Sequence, residues 1–112
     1  MSRWRLLASV LVLALACSQT KTLDHEQLAS ARTQLHSLDD EALLFDRVML
    51  LHRTTRAFAR AHAVYLHRAS REIVEKLAQA QPAPGAEAEF QQVRADAIRL
   101  EERFVALLLR FQ

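Results

Sequence analysis

The residue with the most distinctive chemistry is Cys17, the one cysteine of the chain. A lone cysteine has no partner for an internal disulfide bond, so its thiol needs another role. Cys17 lies where a predominantly apolar segment, Leu6 to Ala16, meets the polar remainder of the chain. A thiol at such a junction is a candidate for acylation, which would also remove an exposed reactive group.

Five histidines are the next candidates for chemistry: His25, His36, His52, His62 and His67. Zinc sites on helices combine histidines three or four residues apart with a third ligand nearby. The closest pair, His62 and His67, is five residues apart, so the two rings point in different directions. The spacing therefore predicts no metal site on any one helix. His62 lies in an apolar stripe, which favours a neutral core histidine bonded to Thr55, Tyr65 or a backbone group.

A row of basic residues is a third candidate. On a helical wheel they fall within about 60° of one another, and they are Arg53, Arg56, Arg60, His67 and Arg71. Such a face could bind lipid phosphates, lipopolysaccharide or an acidic partner. The interpretation that we favour is a solvated face whose arginines pair with acids of neighbouring helices.

The sequence predicts neither a catalytic site nor a cofactor. There is no Gly-rich phosphate loop, and Ser37 and Ser70 have no nucleophile motif around them. A helical hairpin also lacks a natural concave pocket for a substrate. We therefore expect a protein that is not an enzyme.

The N-terminal segment has the organisation of an export signal. Met1 to Arg5 contains two arginines and no acid, and the apolar segment after it is uncharged. A bilayer-spanning helix needs about 20 apolar residues, so this shorter segment is typical of a signal peptide instead. Leu13-Ala14-Leu15-Ala16-Cys17 resembles the lipobox of bacterial lipoproteins, although Ala14 stands where that family usually has Leu or Val.

This resemblance implies cleavage before Cys17 and attachment of lipids to that cysteine. Two or more acyl chains, as the family carries, would anchor the protein stably to a membrane. In the family, Asp after the cysteine tends to retain the protein in the inner membrane. Ser18 stands there in this chain, which implies the outer membrane of a bacterial envelope, facing the periplasm.

Charge gives no indication of a nucleic-acid partner. The net charge of +2 comes from Arg3 and Arg5, which lie in the predicted signal peptide. The rest of the chain carries equal numbers of basic and acidic residues, so we expect no nucleic-acid binding.

Nearly all of the chain after the signal peptide is predicted to be helical. Ala, Leu, Arg, Glu and Gln dominate, and the one glycine and both prolines fall between Pro82 and Gly85. Ser37 and the acids after it suggest a second, softer boundary, where the first two helices are either separate or one long kinked helix. We predict a signal peptide over 1–16, a tether over 17–22 and a helical domain over 23–112, with helices near 23–36, 38–80 and 86–111.

Apolar stripes indicate how these helices pack. The third helix has residues at alternating steps of three and four, which are Phe90, Val93, Ala97, Leu100, Phe104, Leu107 and Phe111. The long helix offers Leu44, Val48, Leu51, Thr55, Phe58, His62, Tyr65, Ala69, Ile73 and Leu77, and the first helix offers Leu28, Ala31, Leu35 and Leu38. These patterns predict an all-α fold, either a helical hairpin or an elongated three-helix bundle with coiled-coil-like packing. Phe104 is expected to be buried near Phe58.

Apolar residues on further faces, including Leu43, Leu50 and Leu109, favour self-association or binding of an envelope protein partner. We therefore expect a non-enzymatic assembly or accessory subunit that acts through protein contacts. An alternative follows from Leu23-Asp24-His25-Glu26-Gln27, which is similar to the L-T-x-x-Q motif of helical periplasmic stress chaperones and metal-resistance proteins, with Asp24 in place of Thr.

Replacing Cys17 tests the lipobox directly. Cys17→Ser removes the thiol that would carry the lipids, so we expect the chain to remain uncleaved or to leave the membrane fraction. Fractionation and mass spectrometry of the N-terminus measure both effects. A variant that is cleaved and fractionates like the wild type would contradict the lipoprotein assignment.

Overall fold

The computed structural model describes residues 20–112, which form three helices packed side by side. The elements are β1 (Lys21–Leu23), α1 (His25–Leu50), α2 (Arg56–Ala78), β2 (Ala80–Pro82) and α3 (Glu87–Leu109). The predicted all-α fold is confirmed in its three-helix form, and the strand pair is a minor addition. The predicted signal peptide and Cys17 lie outside the described residues.

Helix α1 begins with a capping box. The Asp24 carboxylate accepts the backbone N–H of Gln27 at 2.9 Å, and the Gln27 side chain accepts the N–H of Asp24 at 3.0 Å. These two bonds satisfy amides that a helix start otherwise leaves without partners. The spacing of the Leu-Asp-x-x-Gln motif therefore has a local structural role at this position.

The predicted boundary at Ser37 is wrong, because α1 continues without a break to Leu50. Buried side chains follow one another through this region at helical spacing, and they are Leu35, Leu38, Ala42 and Phe45. Packing of this stripe holds the helix together although Ser and Asp are poor helix formers. The acids after Ser37 lie inside the helix, where Asp39 bonds Arg103 of α3 at 2.6 Å.

The break occurs instead at residues 51–55, so the predicted helix over 38–80 is divided in two. After α1, His52 adopts a left-handed conformation with φ of 51°, and its N–H bonds the carbonyl of Met49. Thr55 then caps α2, because its hydroxyl accepts the N–H of Phe58 at 3.2 Å. The three helices have 26, 23 and 23 residues, and this similarity in length allows them to lie side by side.

Helices α2 and α3 form the predicted hairpin, closed by the Pro82–Gly85 turn. Gly85 has φ of 87°, a conformation that glycine adopts without steric cost. Strand β2 leads into this turn and pairs in parallel with β1, with Thr22 opposite Gln81. The predicted tether over 17–22 is therefore too long, because Lys21 and Thr22 belong to the strand pair.

The strand pair holds the start of α1 beside the end of α2, so these helices are antiparallel. Helix α3 runs parallel to α1, as cross-helix contacts at both ends show. His25 bonds Glu89 near the two N-termini, and the rings of Phe45 and Phe111 lie 6.5 Å apart near the two C-termini. The bundle thus has one end at the strand pair and another at the 51–55 turn.

The stripe predicted for α3 forms the core. Phe90, Val93, Ala97, Leu100, Phe104 and Phe111 are buried, and Leu107 is half-buried. The first-helix stripe is also confirmed, with Leu28, Leu35 and Leu38 buried and Ala31 packed against them. Most of these residues form one cluster, while Phe45 and Phe111 belong to a smaller one near the 51–55 turn.

The stripe predicted between residues 44 and 65 is exposed or half-buried, and Ala69 packs against the edge of the core. The buried positions of α2 are Ala59, Ala63, Leu66, Ser70, Ile73 and Leu77, so the prediction holds only for the last two. Phe58 is 60% exposed and belongs to neither core cluster, so it does not take part in the packing around Phe104 that was predicted. Phe104 shares its cluster with Leu66 instead.

Truncation of Phe104 tests the core. Phe104→Ala removes a fully buried ring, a change that typically costs about 3–5 kcal/mol. Total stability in domains is about 5–15 kcal/mol, so we expect the melting temperature to fall by about 10 °C or more. Thermal unfolding followed by circular dichroism measures the change.

The matched control is Glu102→Ala, because Glu102 is exposed and should contribute little. Arg103 is unsuitable as a control because it bonds two acids of α1, Asp39 and Asp46. Equally small effects of Phe104→Ala and Glu102→Ala would mean that α3 is not packed in the monomer.

Candidate functional site

Large apolar side chains are exposed in only one half of the described bundle. They are Leu43, Leu44, Leu50, Leu51, Phe58, Tyr65, Val105 and Leu109. All of them lie in the half that contains the 51–55 turn, whereas none is found in the half near the strand pair. Single exposed apolar residues are ordinary, but a group of this size confined to one half indicates an interaction surface.

Two of these side chains, Phe58 and Tyr65, form an aromatic row on α2 together with His62. The ring of His62 stacks on Phe58 with centroids 6.2 Å apart and planes within 5°, and on Tyr65 at 5.8 Å. The same ring contacts Phe45 of α1 at 5.1 Å. Phe45 is buried, so the inner side of the aromatic row packs against the contact between α1 and α2.

Helix α1 extends this apolar surface with Leu44 and Val48. At 100° per residue, Val48 lies about 60° and Leu44 about 100° around the helix from Phe45. Both lie on the side opposite to Asp39 and Asp46, which point toward α3. We call the surface formed by Leu44, Val48, Phe58, His62 and Tyr65 the outer stripe.

His62 is a half-buried surface residue and not the predicted core histidine. It makes none of the predicted hydrogen bonds in the described structure, since the Thr55 hydroxyl caps α2 instead. Its neighbours are aromatic rings, which suit an imidazole through stacking. His62 therefore belongs to the apolar surface.

Two other histidines contact acids of α3. His25 bonds Glu89, and His67 lies 3.8 Å from Glu101. Within residues 20–112, no three His, Cys, Asp or Glu side chains are grouped closely enough to hold a metal ion. These contacts are therefore pairwise links between helices.

The predicted basic row does not form one face. Arg53 lies in the 51–55 turn, and His67 is turned toward α3. Arg71 pairs with Glu75 on its own helix at 3.0 Å. Arg56 and Arg60 are the two members of the row on α2 that are exposed without an ion pair among the described residues, so the structure brings part of the row together and disperses the rest.

An open groove of about 490 Å³ runs between α1 and α3. Leu35 and Leu100 line it, but its charged side chains already have partners. Arg99 bonds Asp96 beside it on α3, and Arg103 bonds Asp39 across the groove. Charges paired in this way stabilise the helix contact and leave little capacity for a ligand.

The outer stripe carries a sequence signal that periodicity alone interprets wrongly. Phe58, His62 and Tyr65 have the spacing of a buried helix face, and they are larger than Ala59 and Ala63, which are buried in the same part of α2. Ala59 and Ala63 also have helical spacing, and small residues allow close contact between helices. They are the sequence feature that could have identified the buried face of α2. When one helix carries two apolar stripes and buries only one of them, the other stripe is a candidate surface for binding another molecule.

Comparisons with protein-family models, with curated proteins and with solved structures give no match to this chain. Among the described helices, none combines the length and the apolar composition needed to cross a bilayer.

Substitutions on opposite faces of α2, at Ala63 and Phe58, test which face is buried. Ala63→Leu adds volume at a fully buried position, and overpacking of this kind costs about 1–3 kcal/mol. Phe58→Ser changes an exposed side chain, so we expect a loss below about 1 kcal/mol. Denaturant unfolding of both variants measures the difference, and a larger loss for Phe58→Ser would show that the outer stripe is the core.

Proposed function

We propose that this chain is a small, non-enzymatic lipoprotein of the bacterial envelope that binds a partner protein through the outer stripe. The observation that carries the proposal is the exposure of Phe58 and Tyr65 on a helix that buries the small residues Ala59 and Ala63 in the same half of the bundle. The anchor rests on the lipobox-like segment that ends at Cys17. The protein acts as an assembly or accessory subunit.

The outer stripe has the composition of a protein-binding surface. Aromatic residues are enriched at the centres of protein interfaces, where they contribute much of the binding energy. Phe58, His62 and Tyr65 support one another by stacking and rest on Phe45, so little side-chain freedom is lost on binding. The shallow valley between two antiparallel helices suits an amphipathic helix of the partner.

The position of the outer stripe agrees with an anchor at Cys17. The chain enters the bundle at β1, whereas the outer stripe lies in the half near the 51–55 turn. Helix α1 has 26 residues, so the two ends of the bundle are separated by about 39 Å. An anchored bundle would therefore present the outer stripe away from its attachment point.

Position-specific crosslinking tests the proposal. A photoreactive residue at Tyr65 of the full chain, produced in its envelope, should give one crosslinked product with a defined partner. The same residue at Lys76, which is exposed on the other half of α2, is the control and should give none. Adding Phe58→Ser to the Tyr65 probe should reduce the product strongly while thermal stability stays near that of the wild type.

Other outcomes of this experiment have distinct meanings. Many crosslinked products of different size would favour the alternative, a periplasmic chaperone that binds unfolded clients. A single product with twice the mass of the chain would mean self-association through the outer stripe. Equal crosslinking from Tyr65 and Lys76 would contradict a specific surface.

A further inference from the structure

The end of the bundle at the 51–55 turn combines cations with exposed leucines. We call this surface the end face, formed by Arg47, Arg53, Arg56, Arg110, Leu50, Leu51 and Leu109. The leucines are exposed, with Leu50 at 78%. None of the four arginines forms an ion pair within the part of the chain that the structure describes, whereas Arg32, Arg71, Arg99 and Arg103 do.

The acid nearest to this surface along α1, Asp46, shares Arg103 of α3 with Asp39. Asp46 lies 3.5 Å from Arg103, so its charge is directed toward α3. The end face therefore has a local excess of positive charge, although the chain beyond the signal peptide is neutral overall. A concentrated positive charge of this kind attracts anionic partners.

A cleft of about 290 Å³ opens on the end face. Arg56 and Arg110 line it from different helices, together with His52 and Thr54, and Ala59 and Phe111 form a buried apolar floor. No carboxylate lines this cleft. Two guanidinium groups beside an apolar floor suit a phosphate diester, because arginine binds phosphate oxygens through paired N–H donors.

Helix energetics explain only some of these cations. Arg47 lies in the last turn of α1, and Arg110 directly follows α3. The helix dipole favours a cation at the C-terminal end of a helix. Arg56 lies in the first turn of α2, which contains no acid. The helix dipole disfavours a cation there, so the position of Arg56 is better explained by an anionic ligand.

We propose that the end face binds the surface of an anionic phospholipid bilayer. A headgroup phosphate occupies the cleft between Arg56 and Arg110, and Leu50, Leu51 and Leu109 enter the interfacial region. Basic residues beside exposed apolar side chains are the combination that binds anionic lipid surfaces. The inference is independent of the proposed partner, because the end face and the outer stripe share no residue.

Vesicle binding tests the proposal with residues 18–112, which lack the predicted signal peptide and the lipid-bearing cysteine. The core residues of the described structure all lie between Leu28 and Phe111, so this segment contains the packed domain, and circular dichroism verifies its fold. We expect cosedimentation with vesicles of phosphatidylcholine and phosphatidylglycerol, and none with phosphatidylcholine alone. Added salt should weaken the binding.

Variants identify the surface that binds. Arg56→Gln and Arg110→Gln should each lower the partition coefficient about fivefold. Leu50→Ser combined with Leu51→Ser should also lower it, because less apolar area enters the interface. Arg94→Gln is the matched control, since Arg94 is exposed and unpaired in the described structure but lies in the half without exposed leucines.

Four results would overturn the inference. Equal binding to both kinds of vesicle, or equal effects of the Arg56, Arg110 and Arg94 variants, would remove the electrostatic basis. Full competition by millimolar inorganic phosphate, with no effect of the leucine substitutions, would indicate a small-anion site instead of a bilayer surface. Binding to poly-glutamate but not to anionic vesicles would assign the end face to an acidic protein.

Discussion

The rest of the structure depends on the close contact between α2 and α3. Ala59, Ala63 and Ser70 are completely buried on α2, and Ala97 and Phe104 are completely buried on α3. Small side chains let two helices approach closely. Ala59 and Ala63 pack in one cluster with Phe111, which follows α3, and Phe104 packs in the main cluster with Leu66 of α2. This arrangement fixes the rotation of α2 about its own axis, and that rotation leaves Phe58 and Tyr65 on the outside.

The sequence predicts the buried face of a helix well when the helix has one apolar stripe, and poorly when it has two. In α3 one set of large apolar residues has helical spacing, and the predicted stripe agrees with the buried one. In α2 two sets compete, and hydrophobicity favours the set that contains Phe58 and Tyr65. The set with Ser70 is buried instead. Ser70 tolerates burial because its hydroxyl donates to the carbonyl of His67 at 2.9 Å and needs no water. A single sequence does not show which of two apolar stripes faces the core and which faces another molecule.

The helix boundaries show a similar competition between local and tertiary effects. Ser37 and the acids after it resemble a helix start, but Leu38 is buried and Asp39 bonds α3, so packing carries α1 through this region. The Thr54–Thr55 pair carries a weaker local signal, yet the Thr55 hydroxyl does cap α2. The break occurs where no buried side chain would be lost, since residues 50–58 are all exposed or half-buried. In this chain, a capping residue therefore predicts the start of a helix only where the row of buried side chains is interrupted.

Charge in this chain is segregated by the same packing, which determines where binding is possible. Asp39, Asp46, Glu89 and Glu101 all face a basic side chain on another helix, so these acids serve the contacts between helices. The arginines at the 51–55 turn lie beyond the last of those contacts and have no acid opposite them. The sequence between residues 47 and 60 contains four arginines and no acid, so this end of the bundle is positive although the chain after the predicted signal peptide has equal numbers of basic and acidic residues. Net charge describes how a whole protein behaves in solution, whereas recognition depends on the local excess that folding creates.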